Sequence, residues 1–262
     1  VSYRAGDQPN NALSLNVLEP GELATTAGTS GVVYGIVDTP AYDPESRVNP
    51  FVHVNHTEED PRYGVLMCLN GTGILNRWLR ETVCGPGGSG VSYEKMNDIA
   101  AECPPGAEGV MVFPYGNGAE RTLKNLDLGA SLAHINFNLH GPSHLFRAGQ
   151  DGIVYALNYG IGIMREMGMD IRTVKAGYAN MFLSPLFREV FATVTGATVE
   201  LYSTDGAQGA ARGAGIGAGI FEDYETAFQG LDLKAVVEPD KGSADRYAEL
   251  YGLWVRELET GI

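Results

Sequence analysis

Cysteine is scarce. Cys68, Cys84 and Cys103 are the 3 in the chain, widely spaced and with no C-x-x-C between them. Neither a disulfide framework nor a zinc site is expected, and a reducing, cytoplasmic setting fits. Positive charge is short too: 18 Lys and Arg stand against 32 Asp and Glu, for a net charge of −14. A nucleic-acid partner calls for a basic surface, so none is expected. The acidity reads as a solvated surface that aids solubility. No apolar run approaches the roughly 20 residues of a membrane span, and the opening VSYRAGD is not a signal peptide. Two nucleotide signatures are missing as well. The absence of G-x-x-x-x-G-K-S/T excludes a P-loop, and no G-x-G-x-x-G follows a strand, which disfavours a Rossmann site. No His pair has metal-ligand spacing on a helix, so His53, His56, His134 and His140 read as structural.

What is present suffices for a sizeable core: 262 residues, 44% of them hydrophobic, as one large domain or two small ones. Residues 1–21 begin in a turn and continue into a short amphipathic stretch of small residues. Strands are expected around a Gly turn at 23–37 and over 63–70, 110–113, 131–138, 171–176 and 198–202. Helices are expected from about residue 73, then over 93–103, 142–168, 184–195, 205–220 and 244–258. Pro142 suits a first helical position. Residues 38–62 are polar and Pro-rich, hence loop, with an apolar run at 51–54, and 85–90 (GPGGSG) is a loop tip. The order gives an α/β class, helices layered on a mixed sheet. The Gly- and Ala-rich stretch 205–220 is a poor helix by propensity, and close approach to a sheet or nucleotide would explain it.

Four Gly-centred turns stand at the junctions: Gly6-Asp7-Gln8, Gly28-Thr29-Ser30-Gly31, Asn70-Gly71-Thr72-Gly73 and Ala176-Gly177-Tyr178-Ala179-Asn180. In open α/β folds, ligands collect where such turns line strand ends. Glycine admits close backbone approach, and Thr and Ser add hydroxyl donors. A helix opening at Thr72-Gly73 would aim free N–H groups at an anion. The set suggests a nucleotide phosphate site; each turn by itself is equally an ordinary turn. Asp7, in an otherwise uncharged turn, could take a proton from an attacking hydroxyl or simply serve as a turn or cap residue. Asp127-Leu128-Gly129-Ala130-Ser131 has the outline of a D-x-G-T/S phosphate turn, but no strand precedes it and it reads as a decoy.

Taken in order, the motifs resemble the C-terminal half of the FGGY carbohydrate kinases over nearly the whole chain. Ala5-Gly6-Asp7-Gln8 resembles the family's G-D-Q/N turn, and Ala27 to Gly31 its G-T-S/G turn. Asn70 to Gly73, with Trp78-Leu79 beyond, resembles its second phosphate segment. Pro114-Tyr115 through Glu120-Arg121 resembles the P-Y-x-x-G-E-R loop, and Arg147 to Gly152 the R-A-x-x-E/D-G helix opening. Ala176 to Asn180 sits at the adenosine turn, with one Gly instead of two and about three extra residues before its helix. Asp205 to Ala211 resembles the E-x-x-A-x-G-A-A helix.

The resemblance implies a ribonuclease-H-like (actin-like ATPase) domain, a mixed sheet with helices on both faces. It implies ATP and Mg²⁺ as cofactors, with Asp7 as catalytic base and Asp7 and Gln8 toward the sugar. Gly28, Thr29, Ser30 and Gly71 would lie at the phosphates, and Gly177 and Asn180 at the adenosine. The reaction implied is phosphorylation of a ketose or polyol primary hydroxyl, D-xylulose first. Ribulose, rhamnulose, fuculose, gluconate or glycerol are the alternatives, and an actin/Hsp70-like nucleotide-binding module that phosphorylates no sugar is a third. On this reading residues 1–262 are one domain of a two-domain kinase. Its partner would be its own N-terminal, sugar-binding half, so the fragment by itself would be inactive, and a homodimer is left open.

Overall fold

The structure, a computed structural model, describes residues 1–261. The helices are α1 Asp7–Ser14, α2 Gly73–Cys84, α3 Tyr93–Ala101, α4 Pro142–Glu166, α5 Pro185–Thr195, α6 Gly206–Gly217, α7 Tyr224–Ala227 and α8 Ala244–Gly261. The strands are β1 Leu23–Ala27, β2 Gly31–Val37, β3 Asn49–Val52, β4 Tyr63–Leu69, β5 Met111–Phe113, β6 Ser131–Ala133, β7 Thr173–Gly177, β8 Thr198–Tyr202 and β9 Leu233–Val237. Seven strands form one mixed sheet in the order β3-β4-β2-β1-β7-β8-β9, and β5 and β6 form a separate pair.

Strand directions decide where a ligand can sit. β1 is antiparallel to β2, which is antiparallel to β4, while β1, β7 and β8 are mutually parallel neighbours. The carboxyl ends of β1, β4, β7 and β8 therefore share one edge of the sheet. The connections that leave those ends are 28–30, 70–72, 178–184 and 203–205, so turns far apart in the chain are gathered on one rim.

Alternation along the central strands feeds two cores. Leu23, Ala27 and Val33 pack into the large core with α4, α5 and α8, whereas Ala24, Tyr34 and Ile36 face Ala12, Leu15 and Val17 on the other side. Helices thus cover both faces. Helix α4 is central and buried over most of its circumference, with Ile153, Val154, Leu157 and Ile161 in the core. Pro142 opens it, and Ser184 caps α5 by accepting the N–H of Phe187. Arg147 and Asp151 form a buried ion pair one turn apart on α4, and Arg147 also donates to the Tyr247 hydroxyl, fastening α8.

Several sequence expectations change. Asp7 does not lie in a turn: it is the first residue of α1, with Gly6 as its cap, because Asn10 N–H closes onto the Gly6 carbonyl. The loop expected over 38–62 contains an edge strand, β3, where Pro50 is tolerated. The strand expected over 131–138 stops at Ala133, after pairing with three residues of β5. β9 adds an antiparallel edge that carried no clear alternation. The small residues of α6 serve close approach to another helix, α1. A Cβ on Gly209 would strike the Asn10 carbonyl, one on Gly213 the Tyr3 ring, and one on Gly217 the Ser2 carbonyl. The helix lies backbone to backbone on α1 and the segment before it. Among the described residues, no helix is long and apolar enough to cross a membrane.

Candidate active site

Two of the gathered turns are bonded to each other. The β1–β2 turn gives its carbonyls to the start of α2: Gly73 N–H donates to Gly28 O over 2.8 Å and Ile74 N–H to Thr29 O over 3.2 Å. The Thr72 hydroxyl reaches the same two oxygens, at 2.8 and 3.1 Å. With those carbonyls engaged, the N–H groups remain. Among the described residues, those of Gly28, Thr29, Ser30, Gly71 and Thr72 donate to no protein acceptor. Those of Gly28, Thr29 and Ser30 belong to residues at least partly exposed, beside a helix N-terminus and the Thr29 and Ser30 hydroxyls, an arrangement that suits an oxyanion, whereas Gly71 and Thr72 are buried.

Glycine is obligatory here for steric reasons. A Cβ on Gly71 would strike the Pro114 carbonyl, and one on Gly73 would strike that of Gly28. The loop after β5 does the pinning. The Glu120 carboxylate, fully buried, accepts the Asn70 N–H at 2.9 Å through Oε1; Asn70 in turn donates to Ala119 O, and Asn117 donates to Asn70 O. Among the described residues, Glu120 Oε2 has no partner. Burial pushes its carboxyl up to about 7, against the opposing pull of the Asn70 N–H.

Beside this cradle opens a cleft of about 740 Å³, lined by Gly28 and Thr29, by Gly73 and Asn76 of α2, by Tyr93 and Asn97 of α3, and by Asn180 and Ser184. A smaller pocket of about 270 Å³ adjoins it, holding Gly28, Gly177, Asn180 and Thr204. Asn180, in the left-handed region at φ 53°, places its amide nitrogen 3.7 Å from where a Gly28 Cβ would stand. Residues 180–183 form a short 3-10 turn, which accommodates the extra length before α5.

Gly28, Thr29, Gly177 and Asn180 line these two pockets, whereas Ser30 and Gly71 lie on the adjoining turns and line neither, Gly71 being buried. Asp7 and Gln8 line neither pocket. Asp7 is exposed at the start of α1, its Oδ1 accepting the Gln8 N–H at 2.9 Å and its Oδ2 the Gln8 side-chain amide at 3.2 Å. Asn11 donates to Gln8 Oε1 and itself lines the smaller pocket, which links α1 to the rim. Burial raises the Cys68 thiol at the end of β4, and the charges of Asp7 and Glu120 add to it. The cleft residues Asn76, Asn97 and Ser184 escaped sequence reasoning. Asn76 and Asn97 lie inside helices and Ser184 reads as a helix cap, and none stands at a spacing that points to a ligand.

A family model describing the FGGY family of carbohydrate kinases, C-terminal domain, matches residues 23–220. The chain belongs to the FGGY family of carbohydrate kinases. Among FGGY relatives, a xylulose kinase of Bacillus subtilis (strain 168) is 27% identical over 258 residues, covering 96% of this chain and 49% of the relative. A gluconokinase of the same organism is 28% identical over 159 residues, covering 58% of this chain and 30% of the relative. The crystal structure of a xylulose kinase from Rhodospirillum rubrum superposes with a TM-score of 0.84 at 23% identity, over 98% of this chain and 50% of that one. The chain spans about half the length of the curated relatives that it matches along its whole extent. Its FGGY domain has the ribonuclease-H-like, actin-like ATPase fold, a mixed sheet covered by helices on both faces.

Proposed function

We propose that this chain is the nucleotide-binding half of an ATP-dependent sugar kinase that phosphorylates a ketose or polyol primary hydroxyl, D-xylulose foremost. The observation that carries this reading is the set of five unpaired N–H groups on two mutually bonded turns. Gly28, Thr29 and Ser30 would hold the γ-phosphate, with Gly71 beside them, and Gly177 and Asn180 would flank the adenosine. Phosphoryl transfer asks little covalent chemistry of a protein and much positioning and charge stabilisation, which fixed N–H donors supply without reorganising. Asp7, steadied by Gln8, would take the proton from the sugar hydroxyl as its oxygen attacks phosphorus.

Among the described residues, no three His, Cys, Asp or Glu side chains converge as a metal cage. Mg²⁺ would instead arrive on the ATP phosphates with its waters. The family's other half would supply the facing wall, and closure would exclude water from the transferring group. The cytoplasm, where ATP is, suits the reading. Gluconate is the second acceptor to test, given the gluconokinase match.

The test is an ADP-release assay on the full-length protein with D-xylulose, ribulose, rhamnulose, fuculose, gluconate and glycerol, D-xylulose being expected to give the highest kcat/KM. Asp7→Ala should abolish turnover while leaving MgATP binding within about twofold of the parent. Retained turnover would remove Asp7 from its role. The isolated 262 residues should bind nucleotide without phosphorylating sugar.

A further inference from the structure

Gln150 is a buried amide with no part in the phosphoryl transfer. Gln150 is wholly inaccessible on α4, and its side chain lies between two walls of the 740 Å³ cleft. Ser184 Oγ donates to Gln150 Oε1 over 3.0 Å, and Gln150 Nε2 donates to Asn97 Oδ1 over 3.0 Å. Ser184 and Asn97 both line the cleft.

The polarity of this chain is forced from its structural end. Ser184 caps α5, so its oxygen already accepts the Phe187 N–H, at 3.2 Å. Its own proton then needs an acceptor, and buried polar groups are seldom left unpaired. The only carbonyl of Gln150 meets that need, which turns the amide NH₂ toward Asn97. Asn97 must answer with its carbonyl. Its NH₂ is left over, and among the described residues it donates to no protein atom.

Resting on the nucleotide reading above, we propose that Gln150 is a positioning residue that fixes the Asn97 amide with its donor toward the cleft, so that Asn97 selects a base presenting an acceptor, a purine ring nitrogen. The helix cap thereby sets the sign of a hydrogen bond on the opposite wall. A site built to donate loses affinity for a ligand that lacks the acceptor, because the donor is then desolvated without a partner.

The experiment measures binding of MgADP and of tripolyphosphate to the intact protein by calorimetry, in the parent, Gln150→Leu, Asn97→Leu and the double variant. Each single change should weaken MgADP about fivefold and leave tripolyphosphate within about twofold. The double variant should be no weaker than either single, since both act through one contact. On the parent, one of 1-, 3- or 7-deaza-ADP should show the same loss. Unchanged MgADP affinity in Asn97→Leu overturns the proposal, as does a parallel fall of ADP and tripolyphosphate. Asn97 lies half-buried on α3 and its variant decides the matter should Gln150→Leu fail to fold. A parent protein that binds neither compound refutes the nucleotide reading itself, a result distinct from loss of base selectivity.

Discussion

The Thr72 hydroxyl and the Gly73 N–H converge on one oxygen, the carbonyl of Gly28, each at 2.8 Å. Two turns separated by more than 40 residues therefore behave as one piece. Thr72 is fully buried. Thr72→Val keeps its shape and deletes the donor, so it should cost about 1 kcal/mol of stability and weaken MgADP several-fold, as the first turn loosens. Thr72→Ser should restore both. Denaturant titration and calorimetry on the three proteins check this.

Gly71→Ala drives a methyl into the Pro114 carbonyl. Backbone cannot rotate away as a side chain can, so the turn or the loop after β5 must shift. A loss of about 3 kcal/mol is expected, with MgADP affinity down more than about tenfold. Parent-like nucleotide binding in this variant would show that the contact is not rigid.

Glu120 should make stability depend on pH in an unusual direction for a carboxylate. Its folded pKa, about 7, lies above the ordinary 4.5. The folded state therefore holds the proton more tightly, and the benefit is complete below pH 4.5 and lost as pH rises through 7. A shift of that size corresponds to about 3 kcal/mol. Glu120→Gln keeps an acceptor for Asn70 N–H and carries no charge. It should gain on the parent steadily between pH 5 and pH 8, read as the difference in unfolding free energy at each pH.

His53 should work the other way. It is buried between the Tyr34 hydroxyl, 3.0 Å from Nδ1, and the Val17 carbonyl, 3.1 Å from Nε2. Burial pulls its pKa down to about 4, below the usual 6.5. Its contribution is present above pH 6.5 and lost as pH falls through 4. Ring-proton shifts in NMR should show His53 neutral at pH 5, where an exposed imidazole is charged; a midpoint near 6.5 would contradict its burial.

The rim was legible because its chemistry is written in glycines and hydroxyls at strand ends. The turns that hold Gly28, Thr29, Gly71 and Asn180 could be marked from local sequence as glycine-centred junctions, while their assignment to a nucleotide came from the order of the motifs and the family resemblance; apolar runs placed β1, β2 and β4. Less legible was anything that depends on a distant partner. Asp7 reads as a turn residue locally and becomes helical because α1 packs on α6 and the sheet. β9 and β3 are edge strands whose outer faces carry no alternation, so pairing alone defines them. Asn97, Gln150 and Ser184 matter through one another, and no spacing rule joins residues on three different elements.

The clasp between α1 and α6 also bears on when the site can be assembled. Helix α1 ends at Ser14, and the glycines that receive it begin at Gly206. During synthesis nearly two hundred residues must leave the ribosome before α1 has its mate. β1 likewise waits for β7 as its parallel neighbour. Such long loops close late. Helix α1, with Asp7 at its start, is therefore seated only once α6 has been made, and a nascent chain that has not reached Gly217 carries the turns after β1 and β4 without α1 fixed in place.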